Sequence, residues 1–245
     1  MTATAVISVA ALVGCDREIR RPAAAPASPQ APASAPGPSA PPSGDVPAVR
    51  PGDRLFPMSL APALDDPGRD EWQRPDEVVA ALSIRPGERI ADVGCGTGYF
   101  TVRLLRATGA NGHVVAVDVQ QGMLDLLARR LDAADRGRVT LRRNAPDRPL
   151  EAADAVDLVL CANTLYEVDE ADAAKFVRSM ADGLVPGGRL AVLDWRPVAM
   201  RLGPHVSARI TPDRIRDLAL RAGLSPSQDL DFLPTHSFLV FTKPK

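Results

Sequence analysis

Residues 91–100 read Ala-Asp-Val-Gly-Cys-Gly-Thr-Gly-Tyr-Phe and continue an apolar run typical of a buried strand. Three glycines stand at alternate positions of this stretch: Gly94, Gly96 and Gly98. They allow the backbone to turn tightly where a side chain would collide with a ligand. A second apolar run, at 113–117, stops at Asp118. Because a carboxylate at the end of such a strand binds ribose hydroxyls in doubly wound sheets, the spacing predicts a nucleoside-containing ligand.

Tyr99 distinguishes between the ligands that such a turn could hold. The dinucleotide fingerprint G-x-G-x-x-G would place a glycine at position 99, where a pyrophosphate approaches a helix N-terminus. The tyrosine therefore disfavours a nicotinamide-dependent oxidoreductase. Residues 92–98 fit D-x-G-x-G-x-G and are followed by the strand that ends in Asp118. This pair resembles motifs I and II of the class I S-adenosylmethionine-dependent methyltransferases, over a stretch from about Trp72 to Lys245.

The resemblance implies an α/β fold with a Rossmann-like seven-stranded sheet and S-adenosylmethionine as the cofactor. The implied strand order is 3-2-1-4-5-7-6, with strand 7 antiparallel and helices on both faces. Apolar periodicity and turn residues agree with this alternation. We expect strands at 89–93, 113–118, 139–143, 156–161, 189–193, 230–233 and 237–242. We expect helices at 75–82, 99–107, 122–133, 171–184 and 212–222, the last with Thr211 as its N-cap.

The same resemblance assigns a cofactor site to the carboxyl ends of the first four strands. The acid and glycines of motif I face the methionine and ribose, and Asp118 faces the ribose hydroxyls. Val119 or Gln120 packs on the adenine, and Asn144-Ala145 meets the adenine edge, although the family commonly has Asp there. The predicted cofactor-binding residues are Asp92, Gly94, Cys95, Gly96, Gly98, Asp118, Val119, Gln120, Asn144, Ala145 and Asn163.

The predicted methyl-transfer site follows the fourth strand. Asn163-Thr-Leu-Tyr166 is similar to the N-P-P-Y signature of methyltransferases that act on amide or amine nitrogens, but both prolines are absent. Methyl transfer chiefly requires alignment of the reacting atoms. Where a base is needed, Glu167, Asp194 and His205 are candidates. The predicted catalytic residues are Asn163, Tyr166, Glu167 and Asp194. The alternatives are a helix-entry cap for Asn163 and a solvated ion pair for Asp194.

Composition limits the class of partner. The chain has 245 residues, 45% hydrophobic content and a net charge of −1, which fits one substantial core and favours neither nucleic acid nor an anionic membrane surface. Aromatic residues make up 4% of the chain, too few for a base-stacking surface. Cys95 and Cys161 are expected to be buried, and the histidines lack metal-ligand spacing, so no metal is predicted. Trp72 and Arg74 are candidates for a lid over the cofactor. The chain is expected to be a monomer or dimer.

The N-terminus carries a different pattern. Residues 1–14 are apolar and end in Leu12-Val-Gly-Cys15, which resembles a bacterial lipoprotein signal with lipid attached to the cysteine. A Pro/Ala-rich tether follows. We expect a signal and lipidation site at 1–21, a disordered linker at 22–64 and the methyltransferase domain at 65–245. The apolar stretch is shorter than the roughly 20 residues that span a membrane.

These observations predict a methyltransferase that acts on a small-molecule acceptor. The alternative is a noncatalytic, membrane-tethered module that binds a nucleoside or a partner with the same fold. The N-terminal pattern predicts a lipoprotein of the bacterial cell envelope, or a cytoplasmic protein if the signal does not function. S-adenosylmethionine is made in the cytosol, so a domain carried across the membrane would need a separate supply.

Overall fold

The computed structural model describes residues 55–245. The predicted signal with Cys15 and most of the predicted linker lie outside the described residues. Within them, the strands are β1 Arg89–Val93, β2 His113–Asp118, β3 Val139–Arg143, β4 Val156–Ala162, β5 Leu184–Trp195, β6 Ser225–Leu230 and β7 His236–Thr242. The helices are α1 Arg69–Gln73, α2 Pro75–Ala81, α3 Thr101–Ala107, α4 Gln121–Arg130, α5 Ala133–Arg136, α6 Glu170–Gly183 and α7 Pro212–Arg221.

The described strands form one sheet in the order β3-β2-β1-β4-β5-β7-β6. Strands β1 to β5 pair in parallel. β7 lies antiparallel between β5 and β6. The predicted fold class and strand order are therefore confirmed. Parallel strands that share this edge bring the loops after β1, β2, β4 and β5 together, which is where open α/β sheets bind ligands.

The core lies on both faces of the sheet because successive strand residues point to opposite sides. In β4, Leu158 and Leu160 join the apolar cluster that contains α2 and α3 side chains. Val159 and Cys161 join the cluster that contains α6 and α7 side chains. Each face is thus covered by helices, and the near-continuous apolar sequence of β4 is typical of a parallel strand buried on both sides.

The predicted boundaries differ from the structure at several places: β5 begins at Leu184 rather than at 189, α4 ends at Arg130 rather than at 133, and two further differences lie at the C-terminal edge and in the first βα turn. The predicted strand at 230–233 is instead β6 at Ser225–Leu230. The residues of this edge strand are mostly exposed, so its sequence lacks the apolar pattern that predicts a strand. Leu233, which contributed to the predicted strand, is buried in the core outside any strand. The helix predicted from Tyr99 begins at Thr101.

The end of the predicted linker is packed and helical. Met58–Asp65 forms a 3₁₀ helix in which Ala61 is buried. The Gln120 amide donates to the Phe56 carbonyl over 2.9 Å. Residues 56–64 are richer in large apolar side chains than the Pro/Ala-rich stretch before them. The ordered part of the chain therefore begins before residue 65.

The glycines of the 94–98 turn are required by the protein's own side chains. Gly94 has φ +70°, and a Cβ there would lie 2.1 Å from Thr164 Oγ1. Gly98 has φ +90°, and a Cβ there would lie 2.3 Å from Leu127 Cδ1. At these two positions the protein's own side chains require glycine, whether or not a ligand approaches the turn. The glycines let the loop after β1 pack against α4 and the loop after β4.

We expect Gly98→Ala to lower the free energy of unfolding by about 2–4 kcal/mol, since it combines a left-handed backbone with a steric overlap. Gly87→Ala is the matched control because Gly87 has φ +87° and an added Cβ would meet nothing within 4 Å. That variant should lose about 1–2 kcal/mol from backbone strain alone. Urea denaturation of both proteins measures the difference, and equal losses would contradict the packing argument.

Candidate active site

A cavity of about 290 Å³ opens at the carboxyl ends of the central strands. Its wall contains most of the predicted site residues: Asp92, Gly94, Cys95, Gly96, Asp118, Val119, Gln120, Asn144, Asn163, Tyr166 and Glu167. Gly98, Ala145 and Asp194 are not part of the wall. On another side the cavity is bordered by residues from the N-terminal segment and α1: Phe56, Leu64, Arg69 and Trp72.

Asp118 connects the two loops that flank β1 and β2. Its Oδ2 accepts the Gly96 N–H over 2.9 Å, and its Oδ1 accepts the Gln120 N–H over 2.8 Å. Burial raises the pKa of this carboxyl, while these backbone hydrogen bonds oppose the shift. Each carboxylate oxygen has further acceptor capacity. Asp118 can therefore hold the loop and accept hydrogen bonds from a ligand at the same time.

Asp92 lies deeper, at the end of β1. It is 2% exposed and accepts the Thr101 hydroxyl over 2.6 Å. Burial raises its pKa to about 6. The half-buried Asn144 side chain lies in the cavity wall and donates to the Ala145 carbonyl, whereas Ala145 itself forms an antiparallel bridge with Arg148.

Tyr166 and Glu167 form the titratable pair of the cavity. The Tyr166 hydroxyl donates to Glu167 Oε1 over 2.8 Å. Burial raises the pKa of Glu167 to about 7, against the hydrogen bond from Tyr166, which favours the carboxylate. A carboxyl with this pKa can accept a proton near neutral pH.

Asp194 is 0% exposed and lies outside the cavity. Its carboxylate accepts the backbone N–H groups of Trp195 and Tyr166 over 2.8 and 3.2 Å. The placement supports neither the predicted catalytic role nor a solvated pair with Arg196, which instead pairs with Asp231. Asp194 holds the 3₁₀ turn Leu165–Glu167 against the end of β5.

His205 is exposed and contacts Ser207, so it does not reach the cavity wall. Of the two residues expected in a lid, Trp72 lines the cavity and Arg74 does not. The Arg74 side chain donates to the Phe232 carbonyl and pairs with Glu77.

Arg69 is a site residue that the sequence did not reveal. Its guanidinium donates to Gln73 and to the Leu64 carbonyl over 2.6 and 2.7 Å and lies 3.8 Å from the centre of the Tyr99 ring. Within residues 55–245 it forms no salt bridge. Burial lowers its pKa to about 10. The sequence pattern of a five-residue helix does not distinguish this arginine from an exposed one. Tyr99 has a structural role, because the Arg69 guanidinium stacks on its ring.

Thr97 adds a second signal for a ligand. Its hydroxyl is buried in the cavity wall and has no hydrogen-bond partner among the described residues. Buried polar groups in proteins are nearly always paired. The hydroxyl is therefore available to a group from outside residues 55–245.

Comparison with known proteins agrees with this architecture. Residues 90–188 match the family described as Methyltransferase domain. A SAM-dependent methyltransferase from Aquifex aeolicus has the same fold, with a TM-score of 0.70 and 24% identity over 77% of this chain and 99% of that one. The family match covers residues 90–188, and the sheet order is that of the class I S-adenosylmethionine-dependent methyltransferases. S-adenosylmethionine is the methyl donor of that class.

Two curated proteins show sequence similarity to about half of this chain. The ubiquinone/menaquinone biosynthesis C-methyltransferase UbiE of Vibrio vulnificus is 38% identical over 130 residues, which cover 52% of this chain and 48% of that protein. A demethylmenaquinone methyltransferase of Symbiobacterium thermophilum is 32% identical over 133 residues, 51% of this chain and 49% of that protein. The chain spans about half the length of the curated relatives that it matches.

Residues 55–245 contain neither a membrane-spanning helix nor a cluster of metal-binding side chains. No helix in this part of the chain is long and apolar enough to cross a membrane. No group of three or more His, Cys, Asp or Glu side chains in the same part could hold a metal ion.

We expect Tyr166→Phe to raise the pKa of Glu167 by about one unit, since the lost hydrogen bond stabilises the charged carboxylate. The carboxylate form would then be lost at a higher pH than in the unaltered protein. Carbon-13 NMR of labelled glutamate carboxyls, assigned with Glu167→Gln, measures the titration. The chain has two tyrosines, and Tyr99→Phe is the control because its hydroxyl bonds to Asp70. An unchanged titration in Tyr166→Phe would refute the coupling.

Proposed function

We propose that this chain transfers the methyl group of S-adenosylmethionine to a small-molecule acceptor bound in the same cavity. The observation that carries the proposal is the Asp118 carboxylate, which ends β2 and faces the cavity beside the glycine turn. In doubly wound sheets an acid at this place binds the hydroxyls of a ribose.

The charges around the cavity fit this cofactor. Arg69 is a buried cation without a carboxylate partner in the described chain, and it suits the carboxylate of the methionine moiety. Asp92, Asp118 and Glu167 line the same cavity. Their combined negative charge favours the sulfonium cation. The unpaired Thr97 hydroxyl supplies one more polar contact.

The loop after β2 and the start of α4 supply the remaining proposed contacts to the cofactor. Val119, Gln120 and Met123 line the wall next to Asp118. We assign the adenine to this side, with Asn144 at its edge. Gly94 and Gly96 leave the backbone of the glycine turn without side chains that would obstruct the ribose and methionine. Cys95 is buried, and burial raises the pKa of its thiol well above the usual value, so it contributes bulk rather than a thiolate.

When bound, S-adenosylmethionine supplies a methyl carbon that is displaced from a positively charged sulfur. The chain's task is to align the acceptor nucleophile with that carbon and to exclude water. As the nucleophile–methyl bond forms and the sulfur–methyl bond breaks, the sulfur keeps the bonding electron pair. Glu167 takes the proton of an acceptor that loses one, because its pKa near 7 suits this transfer.

The acceptor side of the cavity is apolar. Trp72 and Trp195 lie 5.1 Å apart between ring centroids, and the loop residues Leu202, Gly203 and Pro204 close the wall. Such a wall favours a flat apolar molecule. The relatives named for ubiquinone and menaquinone biosynthesis support a small ring-containing acceptor for this chain.

We expect Asp118→Asn to weaken S-adenosylmethionine binding about tenfold to a hundredfold, since one charge-assisted hydrogen bond contributes about 1.5–3 kcal/mol. Calorimetry on the full chain measures the affinity. Asp125→Asn is the control, because Asp125 lies exposed on α4. A chain that binds NADH and ignores S-adenosylmethionine would refute the proposal. Binding without turnover for any acceptor would favour the noncatalytic module.

We further propose that Cys15 carries lipid and attaches the domain to a membrane surface. The motif Leu12-Val-Gly-Cys15 and the Pro/Ala-rich tether support this proposal. Mass spectrometry of the N-terminal peptide from native membranes should find a modified Cys15 at the new N-terminus. An unmodified peptide that begins at Met1 would refute lipidation and leave the methyl-transfer proposal intact.

A further inference from the structure

The Asn163 carboxamide is held by a hydrogen-bond chain that starts outside the cavity. Asn163 Oδ1 lies 2.7 Å from His236 Nε2. His236 Nδ1 lies 2.8 Å from the Thr235 hydroxyl. The histidine is 0% exposed at the start of β7. β7 therefore reaches across β5 to orient a residue that follows β4.

The protonation of His236 decides which face of the carboxamide is available. Burial, assisted by the charges of Arg69, Arg209 and Arg196, lowers the pKa of His236 to about 3. The neutral ring has one N–H. Because a carboxamide oxygen only accepts, that hydrogen sits on Nε2 and Nδ1 accepts from Thr235. The Thr235 hydroxyl lies 2.8 Å from Nδ1 and 3.2 Å from the Trp72 carbonyl, so in this tautomer its single hydrogen is donated to Nδ1 and not to that carbonyl.

The surroundings keep the ring in place. His236 stacks on Trp72 with ring centroids 5.7 Å apart and planes 6° apart. Trp195 packs on it with centroids 4.3 Å apart. Both tryptophans line the cavity. Since both ring nitrogens are engaged by protein groups, the imidazole is a fixed support behind the acceptor wall rather than a proton carrier.

The backbone of Asn163 is also constrained. Its φ is +54°, a left-handed conformation that is uncommon outside glycine. Its N–H donates to the Leu193 carbonyl over 2.8 Å. The side chain is half-buried in the cavity wall. Among residues 55–245, Nδ2 donates to no protein atom, so its hydrogens are left for a ligand.

We propose that His236 is a positioning residue that turns the Asn163 amide hydrogens toward the acceptor, which therefore presents an oxygen, as a carbonyl or oxyanion, at this point. An amine acceptor would have to share Oδ1, which already accepts from His236. The inference rests on the proposed function in one respect, that the acceptor binds in this cavity. It disfavours the amide or amine nitrogen that methyltransferases with the N-P-P-Y signature act on, a signature that residues 163–166 match only in part.

The tautomer is tested first, on the unaltered full chain and without any ligand. Nitrogen-15 NMR of labelled histidine, assigned with His236→Phe, should show the hydrogen on Nε2 and an unprotonated Nδ1. A hydrogen on Nδ1 would mean that Nδ2 of Asn163 faces the histidine and Oδ1 faces the cavity. That result would overturn the inference whatever the cofactor measurements give.

The selectivity is tested with two flat probes in the presence of S-adenosylhomocysteine. 1-Acetonaphthone offers a carbonyl and no polar hydrogen, whereas 1-naphthylamine offers N–H groups. Calorimetry should show the ketone bound about tenfold more tightly than the amine, the effect expected of one hydrogen bond and one unmatched donor. Equal affinities or an amine preference would overturn the inference.

Three variants separate positioning from folding. His236→Phe retains the ring stacking but frees the carboxamide, so the probe preference should fall toward one. His236→Gln keeps an N–H donor to Asn163 Oδ1, so this variant should show the ketone preference of the unaltered chain. Asn163→Asp should reverse it, because one carboxylate oxygen accepts from His236 and the other faces the cavity. A preference unchanged in His236→Phe and Asn163→Asp would refute the positioning role.

His113→Phe is the matched control, since His113 begins β2 at the opposite edge of the sheet and bonds to Thr140. Its probe preference should equal that of the unaltered chain. S-adenosylhomocysteine affinity is measured for every variant. If the unaltered chain does not bind S-adenosylhomocysteine, that result counts against the proposed function. The position of the His236 hydrogen, measured by nitrogen-15 NMR, would still test the inference about His236.

Discussion

The hydrogen bonds of Asp118 are the constraint on which the site depends. This carboxylate accepts the N–H of Gly96 in the glycine turn and the N–H of Gln120 in the loop between β2 and α4. The Gly94 and Cys95 N–H groups both lie within hydrogen-bond distance of the Val117 carbonyl, which reinforces the same junction. The loops after β1 and β2 are therefore held at a set separation. The desolvation cost of the buried charge is offset by these donors, so the acid can remain ionised at the base of a ligand cavity.

Buried carboxyls recur around this edge of the sheet, but their surroundings give them different roles. Glu167 faces the cavity with one hydroxyl partner, and burial leaves its pKa near 7. Asp194 receives backbone donors from two segments and lies outside the cavity. The same chemical group is thus suited to proton transfer in one place and to holding a turn in the other. Position relative to the cavity distinguishes the two, since burial raises the pKa of Asp194 to about 7 as well.

The predicted strand order came from the family resemblance, and most of the cofactor wall could be predicted because the two motifs that carry this resemblance are local. Motif I places a turn after a buried strand, and Asp118 ends the next strand. The wall residues Arg69 and Thr97 could not be predicted in this way, since no short-range pattern distinguishes a buried arginine in a five-residue helix from an exposed one. β6 escaped prediction because an exposed edge strand carries no apolar alternation.

The sequence by itself determined the α/β class, the glycine turn and the acid that follows it, because apolar periodicity and glycine spacing act over a few residues. Only the tertiary structure decided what surrounds them. Trp72, Asn163 and His236 are far apart in the chain and meet only when β7 inserts beside β5. Hydrogen-bond direction and burial depend on those long-range contacts, and so the chemistry of the acceptor wall is a property of the folded sheet.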